Sequence, residues 1–97
     1  MRESTIEQRL RTKCREHGAM CLKFTSPGRR AVPDRIVLGR FGHVFFVELK
    51  APGKKPSEAQ AAEHDRLRAL GFRVYVADTY FLVDDIIARE FAHEAPL

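Results

Sequence analysis

Residues 33–50 read Pro33-Asp34-Arg35-Ile36-Val37-Leu38-Gly39-Arg40-Phe41-Gly42-His43-Val44-Phe45-Phe46-Val47-Glu48-Leu49-Lys50. Ile36, Val37 and Leu38 form one β-prone run and Val44 to Leu49 another; Gly39 and Gly42 between them admit positive φ. The pattern predicts a β-hairpin. With 39–43 as the loop, Leu38 faces Val44, Ile36 faces Phe46, and Asp34 falls opposite Glu48. Cross-strand neighbours have Cβ atoms about 4.5–5.5 Å apart. Two carboxylates that close repel, and one takes up a proton unless a cation lies between them. A divalent metal resolves the conflict. Lys50 follows two residues after Glu48, on the same face and about 7 Å further along the strand. One end of the hairpin therefore gathers two acids and an amine.

Away from that end the same face carries Ile36, Leu38, Val44 and Phe46, and the opposite face carries Val37, Phe45, Val47 and Leu49. Both sides read as buried, as in a sheet packed between helices. A polar cluster at the rim of such a surface needs a functional reason.

Pro33-Asp34, fourteen positions, then Glu48-Leu49-Lys50 resembles the motif of the PD-(D/E)XK nuclease superfamily. With Glu7 on a first helix and Gln60 on the helix after the motif, the layout is most similar to the virus-type replication-repair nuclease (VRR-NUC) domain. The resemblance covers about Ile6 to Ile87. It implies a restriction-endonuclease-like core that hydrolyses phosphodiester bonds in DNA. It turns Glu7 toward a metal, directly or through water, and lets Gln60 orient Lys50 or an attacking water. Asp34 and Glu48 would bind the ion, joined by the main-chain carbonyl of Leu49. Oxygen donors with room for water favour Mg²⁺ or Mn²⁺ over Zn²⁺. Lys50 would position or deprotonate the water, or stabilise the pentacovalent phosphorus. Stand-alone members of the family resemble homodimers that cut four-way (Holliday) junctions. A single site cuts one strand, so symmetric cleavage asks for two copies.

The 97 residues are expected to form one stand-alone domain, with a core over about 4–91 and a frayed tail from Ala92. No apolar run approaches the ~18 residues of a membrane span, and Met1 to Gln8 lack the apolar core of a signal peptide. The expected setting is the cytoplasm of a bacterial or phage-infected cell. Cys14, His17 and Cys21 make an incomplete ligand set with no fourth donor nearby, so the cysteines read as reduced thiols.

The net charge of +4 is unevenly spread. Residues 23–55 hold eight basic side chains (Lys23, Arg29, Arg30, Arg35, Arg40, Lys50, Lys54, Lys55) and two acids, Asp34 and Glu48. From Ser57 onward eight acids face four bases. Cations gathered around an acid pair suit a polyanion that must approach those acids. Arg29 and Arg30 in the loop 26–32, Arg35, and Lys54 and Lys55 in the loop 51–56 are the candidate DNA contacts. The loop 26–32, with Pro27, Gly28 and paired arginines, reads as a mobile phosphate clamp beside Asp34.

The remaining elements follow from spacing. A first helix spans 4–17, with Ile6, Leu10 and Cys14 on one face, Gly18 as its C-terminal cap, and a capping box from Ser4 to Glu7. A strand covers Met20 to Thr25. A helix from Ser57 to Leu70 opens on a second capping box, Ser57 with Gln60, and turns Gln60, Glu63, His64, Leu67 and Leu70 to one side. His64 reads as a partly buried packing residue. Phe72 to Val76 is a strand parallel to that of Glu48, and Asp78 or Thr79 caps a last helix with Leu82, Val83, Ile86 and Ile87 as its buried stripe. The order αβββαβα gives an α/β fold with a mixed four-stranded sheet flanked by helices. Two rival readings are a non-catalytic nucleic-acid-binding module, which keeps the basic loops and uses its acids for structure, and an α/β protein-interaction domain.

Overall fold

The computed structural model describes residues 1–92. The tail expected from Ala92 lies, beyond Ala92 itself, outside the described residues. The elements follow the expected order: α1 (Glu3–Glu16), β1 (Met20–Lys23), β2 (Arg35–Leu38), a single 3₁₀ turn, β3 (Val44–Leu49), α2 (Glu58–Ala69), β4 (Val74–Ala77) and α3 (Tyr80–Glu90). The sheet runs β1-β2-β3-β4. Its first two pairings are antiparallel, and β3 pairs parallel with β4 across the α2 connection.

The hairpin keeps the register derived from its loop length, Ile36 opposite Phe46 and Leu38 opposite Val44. The Gly39 N–H donates to the His43 carbonyl at 2.7 Å. Closure requires left-handed backbone at Phe41 (φ 58) and Gly42 (φ 73), and Phe41 is fully exposed at the tip.

The main core fills one side of the sheet. Val37, Phe45, Val47, Leu49 and Ala77 from the strands meet Ile6, Leu10 and Cys14 of α1 and Val83, Ile86, Ile87 and Phe91 from α3 and its end. The spacing of Ile6, Leu10 and Cys14 puts all three on one helical stripe, and all are fully buried. Each large apolar side chain removed from water contributes about 1.5–3 kcal/mol. That docking outweighs a missing cap: α1 starts at Glu3 behind Arg2, which offers no side-chain hydrogen bond. The Ser4 to Glu7 capping box does not form, because Arg2 takes the N-cap position two residues before Ser4 and Glu7 lies beyond the first turn. Gly18 (φ 69) ends the helix as expected, with the Ala19 N–H returning to the Cys14 carbonyl.

The other side of the sheet departs from the expectation that both faces are covered. Phe46 is buried there, against Phe24 and Phe72, but Met20 (56% exposed), Leu22 and Phe72 reach solvent. One short helix, α2, serves this face, and its buried side chains are Glu63 and His64, both polar. The ends of two strands also move: β1 stops at Lys23 instead of Thr25, and β4 begins at Val74 instead of Phe72. Thr79 caps α3, its Oγ1 accepting from the Leu82 N–H at 3.1 Å. Asp78, the alternative cap, instead accepts from the Gly53 N–H at 3.0 Å and pins the loop after β3.

At the far end of the sheet the Glu90 carboxylate, nearly buried, gathers four donors from three residues. Arg73 Nε and Nη2 lie at 2.6 and 2.9 Å, His43 Nε2 at 2.7 Å, and the Tyr75 hydroxyl also donates. This ties the end of α3 to the starts of β3 and β4.

Candidate active site

Asp34 precedes β2 and Glu48 lies near the end of β3, side by side on the pleat. One Asp34 oxygen, Oδ2, accepts from the Leu49 N–H at 2.9 Å, which fixes the carboxylate next to the Glu48 segment. Pro33 before it is fully buried. The Glu48 side chain is 2% exposed, and its two oxygens have different surroundings. Oε2 faces Lys50 Nζ at 3.2 Å and accepts from Gln60 Nε2 at 3.3 Å. Oε1 is buried with no hydrogen-bond partner. Burial, and then the negative charge of Asp34, push the Glu48 carboxyl above the usual range, against the pull of Lys50.

Gln60 serves two roles. Its Oε1 accepts from the Ser57 N–H at 2.9 Å while the Ser57 hydroxyl accepts from the Gln60 N–H at 3.1 Å, which closes the expected capping box. Its Nε2 remains free to reach Glu48. One turn on, His64 is buried more deeply than expected, and it faces Glu48. It is 1% exposed, and its Nε2 points at Glu48 Oε1 from 3.9 Å, beyond hydrogen-bond reach and with no other partner. Burial, followed by the charge of Arg68, lowers its pKa. The signal that could have found it was the four-residue step from Gln60, which puts both side chains on one helical face.

Several candidate residues have other partners. Glu7 is turned to Arg35, whose Nε sits 2.8 Å from Glu7 Oε2 and whose Nη1 donates to the Cys21 carbonyl. Strand alternation sends Arg35 to the α1 side of the sheet, opposite Glu48. Arg29 does not hang free as a clamp. Its Nε and Nη2 grip Glu63 of α2 at 2.6 and 2.7 Å, and Arg66 adds a bond at 2.8 Å. A carboxylate nearly removed from water requires such partners, and Arg29 above all holds the Glu63 pKa down to about 2. The loop 26–32 is thereby latched to α2. In the same loop Ala31 has φ 68, a left-handed conformation that costs a non-glycine residue roughly 1–2 kcal/mol. Arg30, Lys54 and Lys55 are exposed and make no ion pair among the described residues.

A metal fits the carboxylates on one observation, the orphaned buried Glu48 Oε1, an acceptor with nothing to accept from. Glu48, Asp34 and the Leu49 carbonyl are the oxygen donors available. No three His, Cys, Asp or Glu side chains among the described residues converge as a preformed cage. Mg²⁺ needs none, since it keeps several waters and commonly takes one or two carboxylates. Cys14 and Cys21 are free thiols, and His17 stacks on Phe91 with ring centroids 4.4 Å apart. A groove of about 360 Å³ between α1 and Tyr80 shares no residue with this cluster.

A mixed sheet that brings Asp, Glu and Lys to one rim, with a glutamine on the following helix, is the arrangement expected of a nuclease-type hydrolase. No protein-family model matches the chain. It superposes on a solved structure described as a VRR-NUC domain with a TM-score of 0.82 and 30% identity, over 88% of this chain and 92% of that one. It is 51% identical over 79 residues to "Putative nuclease p44" of Acyrthosiphon pisum secondary endosymbiont phage 1, covering 81% of this chain and 85% of the relative. The chain belongs to the VRR-NUC family of nucleases. No helix among the described residues is long and apolar enough to cross a membrane.

Proposed function

We propose that this nuclease is a divalent-metal-dependent DNA endonuclease, using Mg²⁺ or Mn²⁺ and acting on branched DNA such as four-way junctions as a homodimer. The observation that carries the reading is the division of labour on Glu48: Lys50 and Gln60 occupy Oε2, and Oε1 is left for a cation. A bound ion would lower the pKa of a water and neutralise charge building on the phosphate. Asp34, Glu48 and the Leu49 carbonyl hold it. Lys50, 19% exposed with its Nζ 3.2 Å from Glu48 Oε2, would meet the phosphate or the water. Gln60 keeps the Glu48 carboxylate in one orientation.

Arg30, Lys54 and Lys55 lie on the two loops that follow β1 and β3, and we assign them to backbone phosphates. Support for pairing comes from the open side of the sheet, where Met20, Leu22 and Phe72 present apolar surface to solvent. The phage origin of p44 supports a bacterial cytoplasm as the setting.

The test uses labelled linear, flapped and four-way-junction DNAs with Mg²⁺, Mn²⁺ or chelator. Asp34→Asn should lose cleavage by orders of magnitude and lose metal binding in calorimetry, yet still bind DNA in chelator. Lys50→Ala should lose cleavage and keep the metal. Normal cutting by both folded variants would end the nuclease reading of this cluster. Metal-indifferent binding with intact strands in the wild type would leave a non-catalytic DNA-binding module.

A further inference from the structure

The Asp34, Glu48 and Lys50 motif leaves His64 without a role, yet His64 is the side chain aimed at the vacant oxygen of Glu48. Both groups sit in nearly water-free surroundings, each side chain 2% exposed. Both facing atoms, His64 Nε2 and Glu48 Oε1, lack any hydrogen-bond partner. Two unsatisfied polar atoms turned toward each other are a costly arrangement that a packing histidine would not adopt. Their separation of 3.9 Å is too long for a direct hydrogen bond. It lies between the two separations that one octahedral ion imposes on its ligands, nearer the wider one. With metal–donor distances of about 2.1 Å, ligands on one ion lie about 3.0 Å apart at right angles and about 4.2 Å apart when opposite.

We infer that His64 Nε2 is a direct nitrogen ligand of the metal bound at Glu48 Oε1. The inference rests on the proposed metal-dependent reading of the site. The positions of the neighbours support it. Lys50 Nζ and Gln60 Nε2 both lie on Oε2, so the ion's place on Glu48 is restricted to the oxygen that His64 faces. The ligand also arrives on a defined scaffold, because the Ser57 capping box fixes the start of α2 and Glu63, the residue before His64, is gripped by Arg29 and Arg66.

The consequence is metal choice. Carboxylate and carbonyl oxygens alone suit Mg²⁺ and Mn²⁺ alike, whereas an imidazole nitrogen is accepted more readily by the transition ion than by Mg²⁺. His64 would bias this site toward Mn²⁺.

The experiment loads the full chain with Mn²⁺, without DNA, and measures pulsed electron paramagnetic resonance for coupling to directly bound nitrogen. Histidine labelled with ¹⁵N separates the imidazole from the Lys50 amine. Wild type should show a ¹⁴N coupling that becomes a ¹⁵N coupling on labelling. In His64→Gln the coupling should vanish, and Mn²⁺ affinity by calorimetry should drop by about tenfold or more, with Mg²⁺ affinity much less changed. Mn²⁺ bound by the wild type with no histidine-nitrogen coupling would overturn the inference and leave the metal site standing; a water bridging His64 to Glu48 would give that result. Coupling that persists in His64→Gln overturns it likewise. Failure of the wild type to bind Mn²⁺ or Mg²⁺ would remove the metal-dependent reading itself, and this inference with it. The wild-type spectrum decides the matter even if the variant folds poorly.

Discussion

Gln60 holds a helix cap with one end of its amide and the Glu48 carboxylate with the other, and two substitutions separate those roles. Ser57→Ala deletes the hydroxyl that accepts from the Gln60 N–H at 3.1 Å. Losing a serine N-cap costs about 1 kcal/mol, which for a domain of this size lowers Tm by roughly 4–8 °C. Cleavage per folded molecule should stay within about twofold, since the Glu48 contact needs no Ser57 hydroxyl. Gln60→Ala removes the reciprocal cap bond and also the donor at 3.3 Å from Glu48 Oε2. A hydrogen bond to a charged group is worth about 1.5–3 kcal/mol. At 3.3 Å the lower figure applies, so kcat/KM should fall about tenfold beyond any change from stability. The assays are thermal unfolding by circular dichroism and single-turnover cleavage well below both Tm values. Equal activity losses in the two variants would show that Gln60 acts only through the helix. A Gln60→Ala enzyme with full activity would show that Lys50 alone orients Glu48.

Four further outcomes follow from contacts described above. Arg30→Ala should weaken binding alike on all DNA sequences and make the salt dependence shallower by about 0.9 per lost phosphate contact; Arg29→Ala should instead expose the loop 26–32 to proteolysis, and an unchanged digestion pattern would refute the latch. The Glu63 carboxyl is depressed in the folded chain to about 2, so its stabilisation is present above the unfolded value near 4.5 and lost as pH falls from there toward 2. Over that window the wild-type Tm should drop more steeply than that of Glu63→Gln, and parallel curves would contradict the assignment. Phe45→Ala, which empties the centre of the main core, should cost about 3–5 kcal/mol by denaturant titration, and a loss under 1 kcal/mol would mean that core is not the one described.

The hairpin was legible because its evidence is local. Two β-prone runs and a loop of fixed length set the register, and the register alone put Asp34 beside Glu48. Capping boxes were less decisive: the same signal formed at Ser57 and failed at Ser4, where burial of Ile6, Leu10 and Cys14 fixed the helix and the cap had no vote. The partners of Arg29, Arg35 and Glu7 were not legible. Long flexible side chains choose acceptors through tertiary proximity, and Arg29 lies 34 positions from Glu63. His64 was placed on the right face but given the wrong surroundings, since nothing local says that the opposite strand presents an unpaired oxygen. Apolar composition also overstated how much of the second sheet face is covered, because a β-prone run looks alike whether a helix or solvent lies over it.

The attachment of α2 has a consequence for how the domain opens. α1 and α3 are held by apolar stripes, whereas the side chains that α2 buries are Glu63 and His64, and polar contacts tie it down: Glu63 to Arg29, Gln60 to Glu48, and Arg68 Nη2 to the Val74 carbonyl. Segments with few buried apolar contacts exchange their amide protons through local openings that cost far less than global unfolding. The amides of α2 should therefore exchange well before those of α1 while β2 and β3 stay protected. Each such opening carries Gln60 and His64 away from Glu48, so the candidate site comes apart and reassembles on an intact sheet.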